Sequence, residues 1–156
     1  MADLTTTIIE SVTINGVTRG SSNVKTISGI EHTFERVVTI PASADTTILV
    51  NKNTVAGADG AVDIQDTKYI RITNLDDTNT VNLSLQIDSG NDDSAADESA
   101  TISLAAGHSF VMGTPHDAIA VSDANATINT SMHDLESIIV DSADQAVKIE
   151  IFVASA

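Results

Sequence analysis

The sequence has no cysteine, which removes disulfides, zinc–thiolate centres and thiol catalysis in one step. Such a chain suits a reducing cytoplasm and equally a life outside the cell without redox-sensitive groups. Tryptophan is also absent and aromatics make up 3% of the residues, so the aromatic-lined cleft a glycosidase needs around its paired carboxylates is not expected. Positive charge is scarce: seven basic residues face 22 acidic ones, for a net charge of −15 and a pI near 4.2. The seven (Arg19, Lys25, Arg36, Lys52, Lys68, Arg71 and Lys148) are scattered. They form no patch able to grip phosphates, which argues against nucleic-acid partners and anionic membrane surfaces. No apolar run approaches the roughly 18 residues of a membrane-spanning helix. The opening Met1-Ala2-Asp3-Leu4-Thr5-Thr6-Thr7 lacks the basic region and apolar stretch of a secretory leader. Glycine-rich phosphate loops, His-Glu-x-x-His and Gly-x-Ser-x-Gly are missing too.

What is present is a globular, strand-forming composition. The chain has 156 residues, 42% of them hydrophobic, enough to bury a core without a metal or disulfide staple. Threonine, valine and isoleucine dominate over helix formers. Asn15-Gly16 stands between Val12-Thr13-Ile14 and Val17-Thr18, and this dipeptide predicts a hairpin because both residues tolerate the positive φ of a type I′ turn. Further strands are predicted over 30–40, 46–50, 69–73, 81–87, 100–104, 109–112, 118–121, 135–140 and 147–153. The cleanest alternation puts Val81, Leu83, Leu85 and Ile87 on one face and Asn82, Ser84 and Gln86 on the other. A short helical turn is expected near 132–137. The polar stretch 88–99 reads as an acidic loop between two strands. Many short strands at this spacing predict an all-β, single-domain β-sandwich or jelly-roll-like fold over residues 1–156, with antiparallel pairing.

Candidate chemistry is sparse. The histidines are His32, His108, His116 and His133. His108 next to Ser109 suggests a base and nucleophile, but neighbouring strand residues point to opposite faces. No catalytic residue and no cofactor is therefore expected. The acidic loop offers Asp88, Asn91, Asp92, Asp93, Asp97 and Glu98, hard oxygen ligands of the kind calcium takes, though without the EF-hand spacing. Asn82-Leu83-Ser84, Asn125-Ala126-Thr127 and Asn129-Thr130-Ser131 match the glycosylation pattern, and without a secretory leader they read as chance matches. The four aromatics, Phe34, Tyr69, Phe110 and Phe152, are expected in the core.

Three stretches carry a resemblance: the opening run through Ile14-Asn15-Gly16; Tyr69-Ile70-Arg71-Ile72-Thr73-Asn74-Leu75-Asp76-Asp77-Thr78-Asn79; and Ile102-Ser103-Leu104-Ala105-Ala106-Gly107-His108-Ser109-Phe110-Val111-Met112-Gly113. Together with Val147 to Ala156 they resemble small virion structural proteins of tailed bacteriophages, especially those of marine bacteria and cyanobacteria. The resemblance implies a β-sandwich in the virion, made in the host cytoplasm, with no catalytic residues to transfer. Capsid decoration, bridging capsid subunits on the outer shell, is the first expectation. A tail, collar or fibre-attachment component is the alternative, and a calcium-dependent β-sandwich binding module a second. The expected partners are the major capsid protein or tail proteins, and further copies of this chain in a symmetric oligomer. Residues 1–28, polar and β-prone, are expected to form an N-terminal edge strand or an arm that engages neighbouring subunits.

Overall fold

The computed structural model describes residues 1–55, 60–89, 98–122 and 128–156. The described residues hold strands and connections and no helix. The first strands are β1 (Ala2–Ile9), β2 (Val12–Ile14), β3 (Val17–Arg19), β4 (Ser22–Ile30), β5 (His32–Ile40), β6 (Thr46–Lys52) and β7 (Val62–Asp63). They are followed by β8 (Thr67–Asn74), β9 (Val81–Asp88), β10 (Glu98–Leu104), β11 (Ser109–Met112), β12 (Asp134–Asp141) and β13 (Val147–Ser155).

Two sheets face each other, one in the order β10-β9-β12-β6-β7 and the other β11-β8-β13-β5. Leaving aside the two-residue β7, the pairing nests: β5 with β13, β6 with β12, β8 with β11 and β9 with β10. First pairs with last and the innermost two pair with each other. Further ladders, β8 with β13 and β9 with β12, close each half into a four-stranded sheet. That is a jelly roll, a long antiparallel hairpin wrapped over a common core. Period-2 alternation builds the core. Ile70 and Ile72 of β8, Leu83 and Ile87 of β9, and Ile149 and Ile151 of β13 are fully buried on the inward faces.

Several expectations are corrected. The helical turn near 132–137 is the bulged start of β12: the register with β9 shifts between Leu135 and Ser137. The extra residue puts the buried Leu135 and Ile138 three positions apart, a spacing that in sequence imitates a helical face. The predicted strand over 30–40 is cut at Glu31, whose N–H bonds the Ser155 carbonyl at 2.9 Å while the chain passes from one sheet to another. The span 118–121 contributes only one bridge, Ile119 with His133, because Leu135 N–H closes onto the Pro115 carbonyl and ties this segment down as a loop. The aromatics are not core residues as a group. Phe110 packs against the core from a partly buried position, whereas Tyr69 and Phe152 stand edge to face on the outer side of their sheet, 6.1 Å apart. Short aliphatic side chains fill the interior without them.

The N-terminal thirty residues form a separate ribbon. β1 pairs with β4 of the same chain, and the β2–β3 hairpin caps its far end. Asn15 and Gly16 have φ of 51° and 78°, as a type I′ turn requires. Within the chain, β1 and β4 are each an edge of this two-stranded sheet.

Candidate functional site

Among the described residues, the ribbon gathers most of the exposed large apolar side chains. Ile8, Ile9, Val12, Ile14, Val17 and Val24 are all at least half exposed, with Ile9 reaching 73%. Leu4, Thr6 and Ile27 are half-buried. As a two-stranded sheet, the ribbon presents one unpaired backbone edge on each strand, the usual template for pairing with another chain. Threonines line it, and Thr13 and Thr18 join their hydroxyls across the hairpin at 3.1 Å.

β1 lies over the outer face of the β11-β8-β13-β5 sheet. Between them runs a cleft of about 500 Å³, with Leu4, Thr6 and Ile8 on one side and Tyr69, Arg71 and Phe152 on the other. Arg71 is anchored there by Glu150 at 2.6 Å and by the Thr73 hydroxyl at 2.6 Å. Charge divides along the same line. Residues 1–30 hold two acids, Asp3 and Glu10, and two bases, Arg19 and Lys25, so the whole net charge of −15 belongs to residues 31–156.

On the opposite flank β5 and β6 form the open seam of the sandwich. Arg36 donates to the Ile48 carbonyl at 2.6 Å and its guanidinium sits 5.2 Å from the Phe34 ring centre. One side chain thereby caps an otherwise open strand edge, a common guard against unwanted pairing.

The histidine–serine pair does not assemble. His108 sits in the turn, its N–H on the Ala105 carbonyl at 3.1 Å, while the Ser109 hydroxyl pairs with Thr73 at 2.8 Å. Of the calcium candidates, Asp92, Asp93 and Asp97 lie outside the described residues, as do Asn91 and most of the 88–99 loop, and so does Asn125-Ala126-Thr127. Asp88 ends β9 and is buried, and Glu98 begins β10. Among the described residues the group whose ligand atoms converge, all within 4.8 Å of one another, is His116, Asp117 and Asp134. Nothing in the sequence around these residues marks them as a group. Asp134 follows Asp117 and His116 by 17 and 18 positions, which matches no ligand spacing, and the backbone hydrogen bonds that tie 115–119 to the start of β12 bring them together.

No family model and no curated protein matches the chain. Among solved structures it is similar to a chain from a study reporting that Bacillus endospore appendages form a novel family of disulfide-linked pili. The two are 15% identical over 83% of this chain and 93% of that one, with a TM-score of 0.35. A likeness that distant says nothing about function.

Proposed function

We propose that this chain is a non-enzymatic structural subunit that works by self-association through its N-terminal ribbon, and that it serves in a tailed-phage virion. The observation that carries the reading is the ribbon itself: exposed, apolar and electrically neutral on a body of charge −15. Two such bodies repel each other across most of their surface. The ribbon is the face on which copies meet without that cost, and it offers both apolar side chains and free strand edges.

The size of the effect shapes the assembly. Burying six half-exposed aliphatic side chains supplies roughly 5–10 kcal/mol, from about 1.5–3 kcal/mol per fully buried side chain. Association costs about 4–15 kcal/mol. A single ribbon contact is therefore weak, and stable assembly needs the contact repeated around a ring or along a shell. Placement in the virion is supported by the sequence resemblance. Capsid decoration is the first assignment and a tail or collar position the second. The jelly roll is compatible with both, since fold alone does not fix function.

Sedimentation velocity over a concentration series tests the assembly. The full chain forms higher species as concentration rises, and an Ile9→Ser, Val24→Ser double variant stays monomeric. A wild-type chain that is monomeric throughout overturns the reading. Copy number in purified particles tests the place: parity with the major capsid protein fits decoration, a few per cent fits tail or vertex, and absence rejects the virion assignment.

A further inference from the structure

We propose that His116 and Asp117 form a binding site for a zinc-like divalent cation, with Asp134 positioning the histidine. This inference rests on a different part of the molecule from the ribbon and stands without it.

The segment that carries the first two residues is tied to the base of β12. Leu135 N–H bonds the Pro115 carbonyl at 2.9 Å, Ala118 N–H the His133 carbonyl at 2.9 Å, and His133 N–H the Ile119 carbonyl at 2.7 Å. Asp117 donates its own N–H to Asp134 Oδ1 at 2.8 Å and adopts φ of 46°, a left-handed conformation that aspartate and asparagine tolerate better than most. The backbone that carries the ligands is therefore held against β12 before any ion arrives.

The hydrogen-bond chemistry of the ring then points outward. Asp134 is 2% exposed, and its Oδ1 lies 2.9 Å from His116 Nδ1. An ionised carboxylate only accepts, so Nδ1 carries the proton and donates. In the neutral imidazole this leaves a lone pair on Nε2. That atom lies 3.3 Å from Asp117 Oδ2, which is also an acceptor. Two acceptors this close repel unless a positive centre joins them: a second proton on the ring, or a metal ion. The spacing suits the metal. Ligands at about 2.0–2.1 Å (nitrogen) and about 2.0–2.2 Å (oxygen) around a tetrahedral ion sit about 3.3–3.5 Å apart. The side chains of His116 and Asp117 are 40% and 57% exposed, leaving the remaining coordination positions to water. Asp134 behind the ring completes the carboxylate–histidine–metal arrangement that fixes tautomer and orientation.

Charge adds to the case. Asp88 is the cross-strand partner of Asp134 and is 3% exposed, so a second carboxylate stands at this corner. The imidazole selects for zinc and similar borderline ions over calcium, which takes oxygen ligands.

The test is calorimetric titration of the chelator-stripped full chain with zinc chloride and, separately, calcium chloride, with thermal melts alongside. Zinc is expected to bind one ion per chain and raise the melting midpoint, while calcium at the same concentration does neither. His116→Gln and Asp117→Asn should each abolish the zinc heat. Asparagine keeps the left-handed backbone at 117, so that variant stays folded. Asp134→Asn, which leaves both ligands in place, should weaken binding about 10–100-fold. No heat and no melting shift with zinc overturns the proposal. Undiminished affinity in the His116→Gln and Asp117→Asn variants assigns the ion to His32, His108 or His133 and overturns it equally.

Discussion

Gly20 holds the ribbon together, and replacing it with alanine should loosen the ribbon while sparing the jelly roll. The residue lies between β3 and β4 with φ of 142°, a region that L side chains rarely adopt. A Cβ added there would come 1.9 Å from the Glu10 carbonyl oxygen and 2.5 Å from its carbon. Both are backbone atoms, so no side chain can swing aside. The Glu10 N–H meets the Ser21 carbonyl at 2.9 Å at this same crossing, and the methyl group must pry the two connections apart. The backbone conformation costs about 1–3 kcal/mol for a non-glycine residue, and overpacking about 1–3 kcal/mol more. The ribbon has little to set against about 2–6 kcal/mol, because so few of its side chains are buried. At about 1.4 kcal/mol per tenfold in an equilibrium, local opening should rise at least about thirty-fold. Hydrogen–deuterium exchange read peptide by peptide separates the two regions. Amides of β1 and β4 should exchange faster in Gly20→Ala, those of β8 and β13 at unchanged rates, and self-association should fall with ribbon order. Unchanged ribbon exchange would refute the steric argument. Equal loosening of both regions would refute the separation of ribbon from core.

Three other perturbations probe the sandwich. Ile151→Ala removes a side chain with no exposure. It should cost about 2–5 kcal/mol, lowering the melting temperature by roughly 5–20 °C in a chain this size, and a drop under 2 °C by calorimetry would contradict the packing. Asn74 is fully buried; its amide donates to the carbonyls of Asn79 at 2.8 Å and Leu104 at 3.2 Å and accepts from Asp76 N–H at 3.0 Å. Asn74→Ala strands those groups and should cost about 1–3 kcal/mol in denaturant melts. Asp76 titrates below the ordinary aspartate value near 3.8, chiefly because the Asn79 N–H and then the Thr78 N–H bond its carboxylate. A folded-state value below the unfolded one stabilises the turn in full above the unfolded value, and that contribution is lost as pH falls through the folded one. Carboxyl chemical shifts followed from pH 6 downward should place the Asp76 midpoint below that of a free aspartate. A midpoint at or above the free value would show that the turn does not hold the charge.

Much of the architecture was legible in the residues because it depends on local pattern. The alternation Val81-Leu83-Leu85-Ile87 commits one face of β9 to the interior whatever strand lies beside it. Asn15-Gly16 specifies a hairpin through backbone conformations that few other residues reach cheaply. The lack of cysteine, tryptophan and clustered basic residues bounded the chemistry in the same direct way. The neutrality of the first thirty residues was equally open to counting. Its meaning depended on their forming a two-stranded ribbon outside the two sandwich sheets.

What tertiary structure alone decided is whatever joins residues distant in sequence or breaks the local period. The nested pairing of β5 with β13 and β6 with β12 is a choice among sandwich topologies that every strand's own alternation leaves open. The extra residue at the start of β12 gave a strand the spacing of a helix, and the unpaired Ile48 of β6, opposite Ile138 and Ile139, put two neighbouring side chains, Ile48 and Leu49, in the core. β4 lacked an alternating face because its register with β1, not burial in the core, holds it in place. His116, Asp117 and Asp134 converge because backbone hydrogen bonds fold a long loop onto the first residue of a bulged strand. Periodicity reports only which way a side chain faces, whereas a site is a set of distances, and those are determined by which strands pair and in what register.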